Sequence, residues 1–240
     1  MPHMVVCGAT KCGKSVQINV ILASLLMQNN PHQLQLLLVD PKLVEFSMYE
    51  GLPHLYKPVI TDPQEGVNAL ADLCTEMDTR YELMAKKGFK NWNEFVGTRC
   101  IDEEGYARPR ILCVIDEFAD LIMQSKDVEE HVIRLAQKAR GAGIHLILCT
   151  QKLYNDFLPR KIQANIPARI ALTTASENDN ELNTEMNKKD APRCDLLGKY
   201  GEGYFIMDGK SLRFQGAFIP DSEIENVCNW WRDKDKCMVD

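Results

Sequence analysis

The chain alternates short aliphatic runs with longer amphipathic stretches, and the two periods separate cleanly. His3–Cys7, Leu34–Asp40, Ile111–Ile115, Ile144–Cys149 and Ala168–Thr173 are nearly continuous apolar runs of strand length. Such runs belong to strands covered on both faces, as in a parallel sheet between helices. Between them the period lengthens. From about Pro63 to Lys87, Val67, Leu70, Cys74, Met77, Tyr81 and Met84 recur at spacings of three and four, which places them on the core side of one helix. Helices are also expected over about Lys14–Gln28 and Val128–Ala139. Strand and helix alternating in this way predict an α/β fold, a mostly parallel central sheet flanked by helices. Gly203–Met207 and Leu212–Phe218 read as a C-terminal hairpin turning at Asp208-Gly209. A last helix is expected from Asp221, capped by Asp221 or Ser222. Gly88–Pro109 has no period and is expected to be a protruding loop.

Composition narrows the class. With 240 residues, 45% of them hydrophobic and 26% charged, the chain has material for one large core and reads as a single domain over residues 1–240. Its first strand begins almost at residue 1, as in a piece of a longer protein. A net charge of −6 excludes a surface coated in basic residues but not a polyanion gripped by a few loops. The longest apolar stretches fall far short of the roughly 20 residues of a spanning helix, and no signal peptide precedes the first strand. The segment is therefore expected in the cytoplasm, with no membrane contact of its own. Nine cysteines without a C-x-x-C pair argue against a disulfide framework or a zinc site. Cys113 and Cys149 lie inside apolar runs and read as small core residues.

Chemistry concentrates at two strand ends. Gly8-Ala9-Thr10-Lys11-Cys12-Gly13-Lys14-Ser15 fits G-x-x-x-x-G-K-[ST] at every fixed position, between an expected strand and an expected helix. Backbone N–H groups of such a loop wrap a β-phosphate, and the helix N-terminus adds partial positive charge. Gly8 through Val16 are thus the expected nucleotide contacts, with Lys14 on the β- and γ-phosphates and the Ser15 hydroxyl on Mg²⁺. Ile111–Ile115 delivers Asp116 and Glu117 to the same sheet edge. Asp116 is expected to hold Mg²⁺, mostly through water, and Glu117 to polarise the attacking water as general base. ATP and Mg²⁺ are the expected cofactors. Thr150-Gln151, at the end of another strand, has two readings: a γ-phosphate contact through Gln151, or a helix cap. Cys12 also has two, a thiolate favoured by its electropositive loop or a buried inert thiol.

Read together with their neighbours, these residues resemble the motor domain of the FtsK/SpoIIIE family. The stretches that carry the resemblance include Pro2-His3, Gly8–Ser15, Val39–Lys42, Tyr49–Leu55, Ile115–Leu121, Arg134–Arg140, Gly143–Leu148, Thr150-Gln151 and Ala164–Pro167. They cover about two thirds of the chain in the family's order, fade after Ser176, and return at Gly216-Ala217-Phe218. The resemblance implies a RecA-like P-loop ATPase that translocates double-stranded DNA as a hexameric ring, in chromosome partition, cell division or mobile-element transfer. It also implies an arginine supplied by the neighbouring subunit; Arg169 is the first candidate by position, with Arg140 and Arg193 as substitutes. Lys152-Leu153-Tyr154 departs from the family's usual Arg-Pro after the glutamine, and Ser176–Arg193 departs too, which leaves the DNA grip and subunit contacts open. The family's membrane anchor and winged-helix domain are absent from these residues, so the implied parent protein is longer and anchored in the inner membrane.

Two basic clusters are the candidate DNA contacts: Lys86, Lys87 and Lys90, and Lys152, Arg160 and Lys161. A solvated helix end explains the first equally well. Rival functions are a protein-secreting type VII-like ATPase, a conjugative coupling protein, and a nucleotide-gated scaffold. Asp40-Pro41-Lys42 and Tyr49–His54 favour the DNA-translocase branch, and the intact Lys14, Ser15, Asp116 and Glu117 oppose the scaffold.

Overall fold

Aliphatic runs bury themselves by pairing side by side and accepting helices on both faces. In a computed structural model, which describes residues 2–97, 108–151, 159–174 and 191–236, seven strands form one sheet. They are β1 (Met4–Cys7), β2 (Leu34–Val39), β3 (Arg110–Ile115), β4 (Ile144–Thr150), β5 (Ala168–Leu172), β6 (Glu202–Met207) and β7 (Lys210–Gln215), in the spatial order β2-β3-β4-β1-β5-β6-β7. The first five in that order are parallel, and β6 and β7 are antiparallel additions. The hairpin turns where expected, with Asp208 at φ 52° and Gly209 at φ 72°, the two left-handed residues that a tight hairpin turn needs.

Alternate residues of each strand feed two cores. Val5, Leu37, Cys113 and Leu146 face one helical layer, in which α2 (Pro63–Lys87) supplies Val67, Leu70 and Met77 and α5 (Lys126–Lys138) supplies Val132 and Leu135. Val6, Leu36, Val114 and Cys149 face the other, with Ile18, Leu22 and Leu26 of α1 (Lys14–Gln28) and Ile224 and Trp231 of α7 (Asp221–Lys236). Helices α3 (Trp92–Gly97), α4 (Phe118–Ile122) and α6 (Arg160–Gln163) are short connections. The ends of α2 are written locally: the Asp62 carboxylate accepts the Glu65 N–H at 2.9 Å, Pro63 opens the first turn, and Gly88 closes the last at φ 77°.

Two expectations change. Helix α3 falls inside the stretch expected to be loop, because Trp92 and Phe95 pack with Met84 in a small third core that two helical turns are too short to announce by period. Residues 98–107 of that stretch lie outside the described residues. Tyr81 is 37% exposed rather than core, and its hydroxyl donates to the Lys138 carbonyl at 2.7 Å. Among the described residues no helix is long and apolar enough to cross a membrane.

Candidate nucleotide site

Parallel strands all point their C-terminal ends at one edge, so the loops there converge. The loop after β1 turns through Lys11 at φ 63° and Gly13 at φ 101°. Gly13 is required twice over: its conformation disfavours any side chain, and a Cβ would lie 2.7 Å from the Gly201 nitrogen. Gly201 in turn donates its N–H to the Cys12 carbonyl at 2.8 Å, which ties the loop to the segment entering β6. On the other side of the loop, the Ala9 N–H donates to the Thr173 carbonyl at 2.9 Å.

Strand β4 separates β1 from β3, and β3 ends in the expected carboxylates. Lys14 reaches across, its Nζ 3.6 Å from Asp116 Oδ1 and 3.6 Å from Glu117 Oε2. All three groups are buried. Burial works against the Lys14 ammonium, but Asp116 and Glu117 outweigh it and hold its pKa above the ordinary value. The Asp116 carboxyl is pushed up first by burial and then by Glu45, Asp40 and Glu117, with Lys14 opposing. Lys14 is thus shared between two carboxylates, with Lys42 further out on Asp120.

Glu117 stands in the left-handed region at φ 54°, a conformation that costs a residue with a side chain about 1–2 kcal/mol. Contacts on both carboxylate oxygens hold it there. Its Oε1 accepts from the Thr150 hydroxyl at 3.2 Å and from the Gln151 backbone N–H at 3.3 Å, while Oε2 faces Lys14. The Gln151 side chain turns to the phosphate loop instead, its Oε1 accepting from the Thr10 hydroxyl at 2.8 Å. Thr150 and Gln151 are thus part of the constellation. Beside them, the buried Asp40 carboxylate gathers the N–H groups of Lys42, Val44, Glu45 and Phe46, and the resulting loop lays the Lys42 ammonium 3.1 Å from Asp120.

A cavity of about 530 Å³ adjoins the phosphate loop, lined by Lys11, Gly13, Ser15, Val16 and Gln17 and closed by Tyr200, Gly201 and Phe218. Tyr200 and Phe218 are large, exposed and next to the loop; neither is among the expected nucleotide contacts, although Phe218 ends the Gly216-Ala217-Phe218 stretch of the resemblance. Tyr200-Gly201, close in the fold to Gly13 but far along the chain, left no local signal.

Other expected residues fall elsewhere. The Cys12 thiol is 2% exposed, and burial raises its pKa against the pull of Lys14, so the buried inert reading holds and the activated thiolate does not. Arg169 is 2% exposed inside β5 and donates to Gln163 Oε1 at 3.3 Å, so its guanidinium is buried within this chain. Arg140 is exposed at the opposite edge of the sheet, beside a cavity of about 540 Å³ that Arg110, Lys138 and His145 also line. Arg193 is engaged by the Asp195 carboxylate at 2.7 Å. Lys86, Lys87 and Lys90 are exposed where α2 ends, and Arg160 and Lys161 are exposed on α6; Lys152 lies outside the described residues. The two basic clusters therefore sit on separate elements.

A phosphate loop after β1, carboxylates ending β3 and a polar pair ending the strand between them define a RecA-like P-loop nucleotide site on an α/β sheet. The FtsK/SpoIIIE family model matches residues 1–155. The chain is 43% identical over 236 residues to the DNA translocase SpoIIIE of Bacillus subtilis, covering 95% of this chain and 29% of that protein. It is 44% identical over 238 residues to the DNA translocase FtsK of Bacillus cereus, covering 96% of this chain and 29% of that protein. Among solved structures, the conjugation coupling protein TcpA of pCW3, in its monomer form with ATPγS, superposes with a TM-score of 0.81 at 28% identity, over 96% of this chain and 65% of that one. This chain belongs to the FtsK/SpoIIIE family. It spans less than a third of the length of the two translocases it matches.

Proposed function

We propose that this chain is an ATP-hydrolysing motor that moves double-stranded DNA as part of a hexameric ring, in chromosome segregation, cell division or mobile-element transfer. The observation that carries the reading is the placement of Lys14 within 3.6 Å of both Asp116 and Glu117 at the sheet edge where the phosphate loop opens, in a chain this similar to proteins named DNA translocases.

On nucleotide binding, Lys14 exchanges the two carboxylates for the β- and γ-phosphates, and the loop N–H groups take the remaining oxygens. Ser15 and Asp116 would be the oxygen donors for Mg²⁺, which would supply charge neutralisation on the phosphate oxygens. Glu117, freed from Lys14, takes a proton from the attacking water as it bonds the γ-phosphorus and the bridging oxygen leaves with ADP. The cavity closed by Tyr200 and Phe218 is the right size and position for the nucleoside. Gln151, bonded to Thr10 of the phosphate loop, is placed to register loss of the γ-phosphate. The candidate trans arginine passes from buried Arg169 to Arg140, the substitute that is exposed and has no carboxylate partner among the described residues. The basic clusters remain the candidate DNA contacts.

The likeness to a conjugation coupling protein favours one second reading, a motor for conjugative DNA transfer. Both readings require hydrolysis. Glu117→Gln is expected to bind ATP with unchanged affinity and to turn it over about 100-fold more slowly, the usual scale for a lost general base. Wild-type turnover in that variant refutes the reading. Mixing Arg140→Ala with Lys14→Ala chains should restore part of the activity each lacks alone, and no recovery removes the trans assignment.

A further inference from the structure

We propose that Thr150 is a positioning residue for the general base: its hydroxyl fixes Glu117 so that Oε2 alone takes the proton from water. The proposal rests on the reading of Glu117 as that base. Three facts of geometry lead to it. Glu117 Oε1 is saturated by two donors from the end of β4, the Thr150 hydroxyl at 3.2 Å and the Gln151 N–H at 3.3 Å. Its Oε2 is turned to Lys14, the side chain expected to hold the γ-phosphate. And the Glu117 backbone is held in a left-handed conformation that its own preferences oppose, so the side chain's position depends on what grips it.

Lys14 faces one oxygen at 3.6 Å and β4 holds the other. Where Lys14 serves the phosphates, the β4 clamp is what fixes the Glu117 carboxylate. One donor of that clamp is the Gln151 backbone N–H, which every residue but proline keeps; the other is the Thr150 hydroxyl. Its register explains why it is in reach: Thr150, the last residue of β4, pairs with Cys7, the last residue of β1, so β4 ends level with the start of the phosphate loop, between β1 and β3. The water's proton passes to Oε2 as its oxygen bonds the γ-phosphorus, and Oε1 stays hydrogen-bonded throughout. A carboxylate tethered at one oxygen keeps the other in line, which is the orientation part of catalysis.

The test is single-turnover hydrolysis at saturating Mg-ATP, with nucleotide affinity measured separately by equilibrium binding, for Thr150→Val, Thr150→Ser and each combined with Glu117→Gln. Thr150→Val keeps the shape and β preference and removes the hydroxyl. It should lose about 10- to 100-fold in rate, the scale of a hydrogen bond to a charged group, with nucleotide affinity unchanged. Thr150→Ser keeps the hydroxyl and should recover most of the rate. In the Glu117→Gln background, Thr150→Val should cost little further, because the group it positions is already gone. Thr150→Ala replaces Val should Val fail to fold. A wild-type rate in Thr150→Val, no recovery with Ser, or an equal loss in both backgrounds overturns the proposal. Wild-type turnover by Glu117→Gln instead refutes the assignment of the base itself, and the two failures are distinct.

Discussion

Replacing Arg80 with Met removes a buried cation that ties the lower edge of the sheet together. Arg80 is 1% exposed. Its guanidinium donates to Glu76 at 2.7 Å, to the Ala142 carbonyl at 3.0 Å and to the Pro109 carbonyl at 2.8 Å, and lies 4.4 Å from the centre of the Trp92 ring. Methionine fills the volume and leaves two carbonyls without their donor. Glu76 keeps Arg108 at 2.8 Å, so the loss falls at the low end of the 3–5 kcal/mol typical of breaking a buried ion pair, about 3 kcal/mol. For a chain of this size that lowers Tm by about 6–12 °C. Arg80→Lys should not rescue, because one ammonium cannot serve a carboxylate and two carbonyls in the plane of a guanidinium. Urea denaturation followed by circular dichroism should give a lower midpoint with unchanged slope, and single-turnover ATP hydrolysis of the folded fraction should be unaffected, since the site lies at the opposite sheet edge. A Tm within 2 °C of wild type would refute this reasoning, whose scale is set by the cost of unsatisfied buried groups.

Gly13→Ala should abolish nucleotide binding while leaving the chain folded, because the added Cβ meets Gly201 and the loop must open; retained ATP affinity in a titration contradicts this. Cys12 should resist iodoacetamide in the folded chain and label on unfolding, as its buried thiol requires; rapid labelling with loss of activity would restore the thiolate reading. His3 is buried, takes the Leu146 N–H on Nδ1, and has its pKa lowered to about 4, first by burial and then by Arg140. The unfolded chain therefore binds the proton first, and stability is lost as pH falls from 6.5 toward 4, by up to about 3 kcal/mol. His3→Asn keeps an acceptor for Leu146 and should flatten that slope in urea titrations across this range; an unchanged slope assigns it to other groups.

The elements and the phosphate site were legible because their signals are local. The period of α2 and its Asp62, Pro63 and Gly88 boundaries, and the strand–loop–helix context of Gly8–Ser15, sit within a few residues of one another. What escaped were contacts made across the sequence. Tyr200 and Phe218 reach the phosphate loop only because the hairpin folds back beside α1, and Thr150 reaches Glu117 only because β4 inserts between β1 and β3. Arg169 was a candidate by its position after Asn165-Ile166-Pro167, although the apolar run that holds it already reads as a strand covered on both faces. α3 was read as loop because two turns with Trp92 and Phe95 carry too little period to distinguish from a turn.

The central claim is that hydrolysis at this site is coupled to duplex DNA, and one measurement reaches it directly: steady-state ATP turnover by the purified chain against rising concentrations of duplex DNA of unrelated sequences, repeated across a salt series. The expected result is stimulation that hardly depends on sequence and weakens steeply with salt, absent in Glu117→Gln. Turnover that is abolished in Glu117→Gln yet indifferent to duplex DNA at every salt concentration would leave an ATPase in place and contradict the DNA motor.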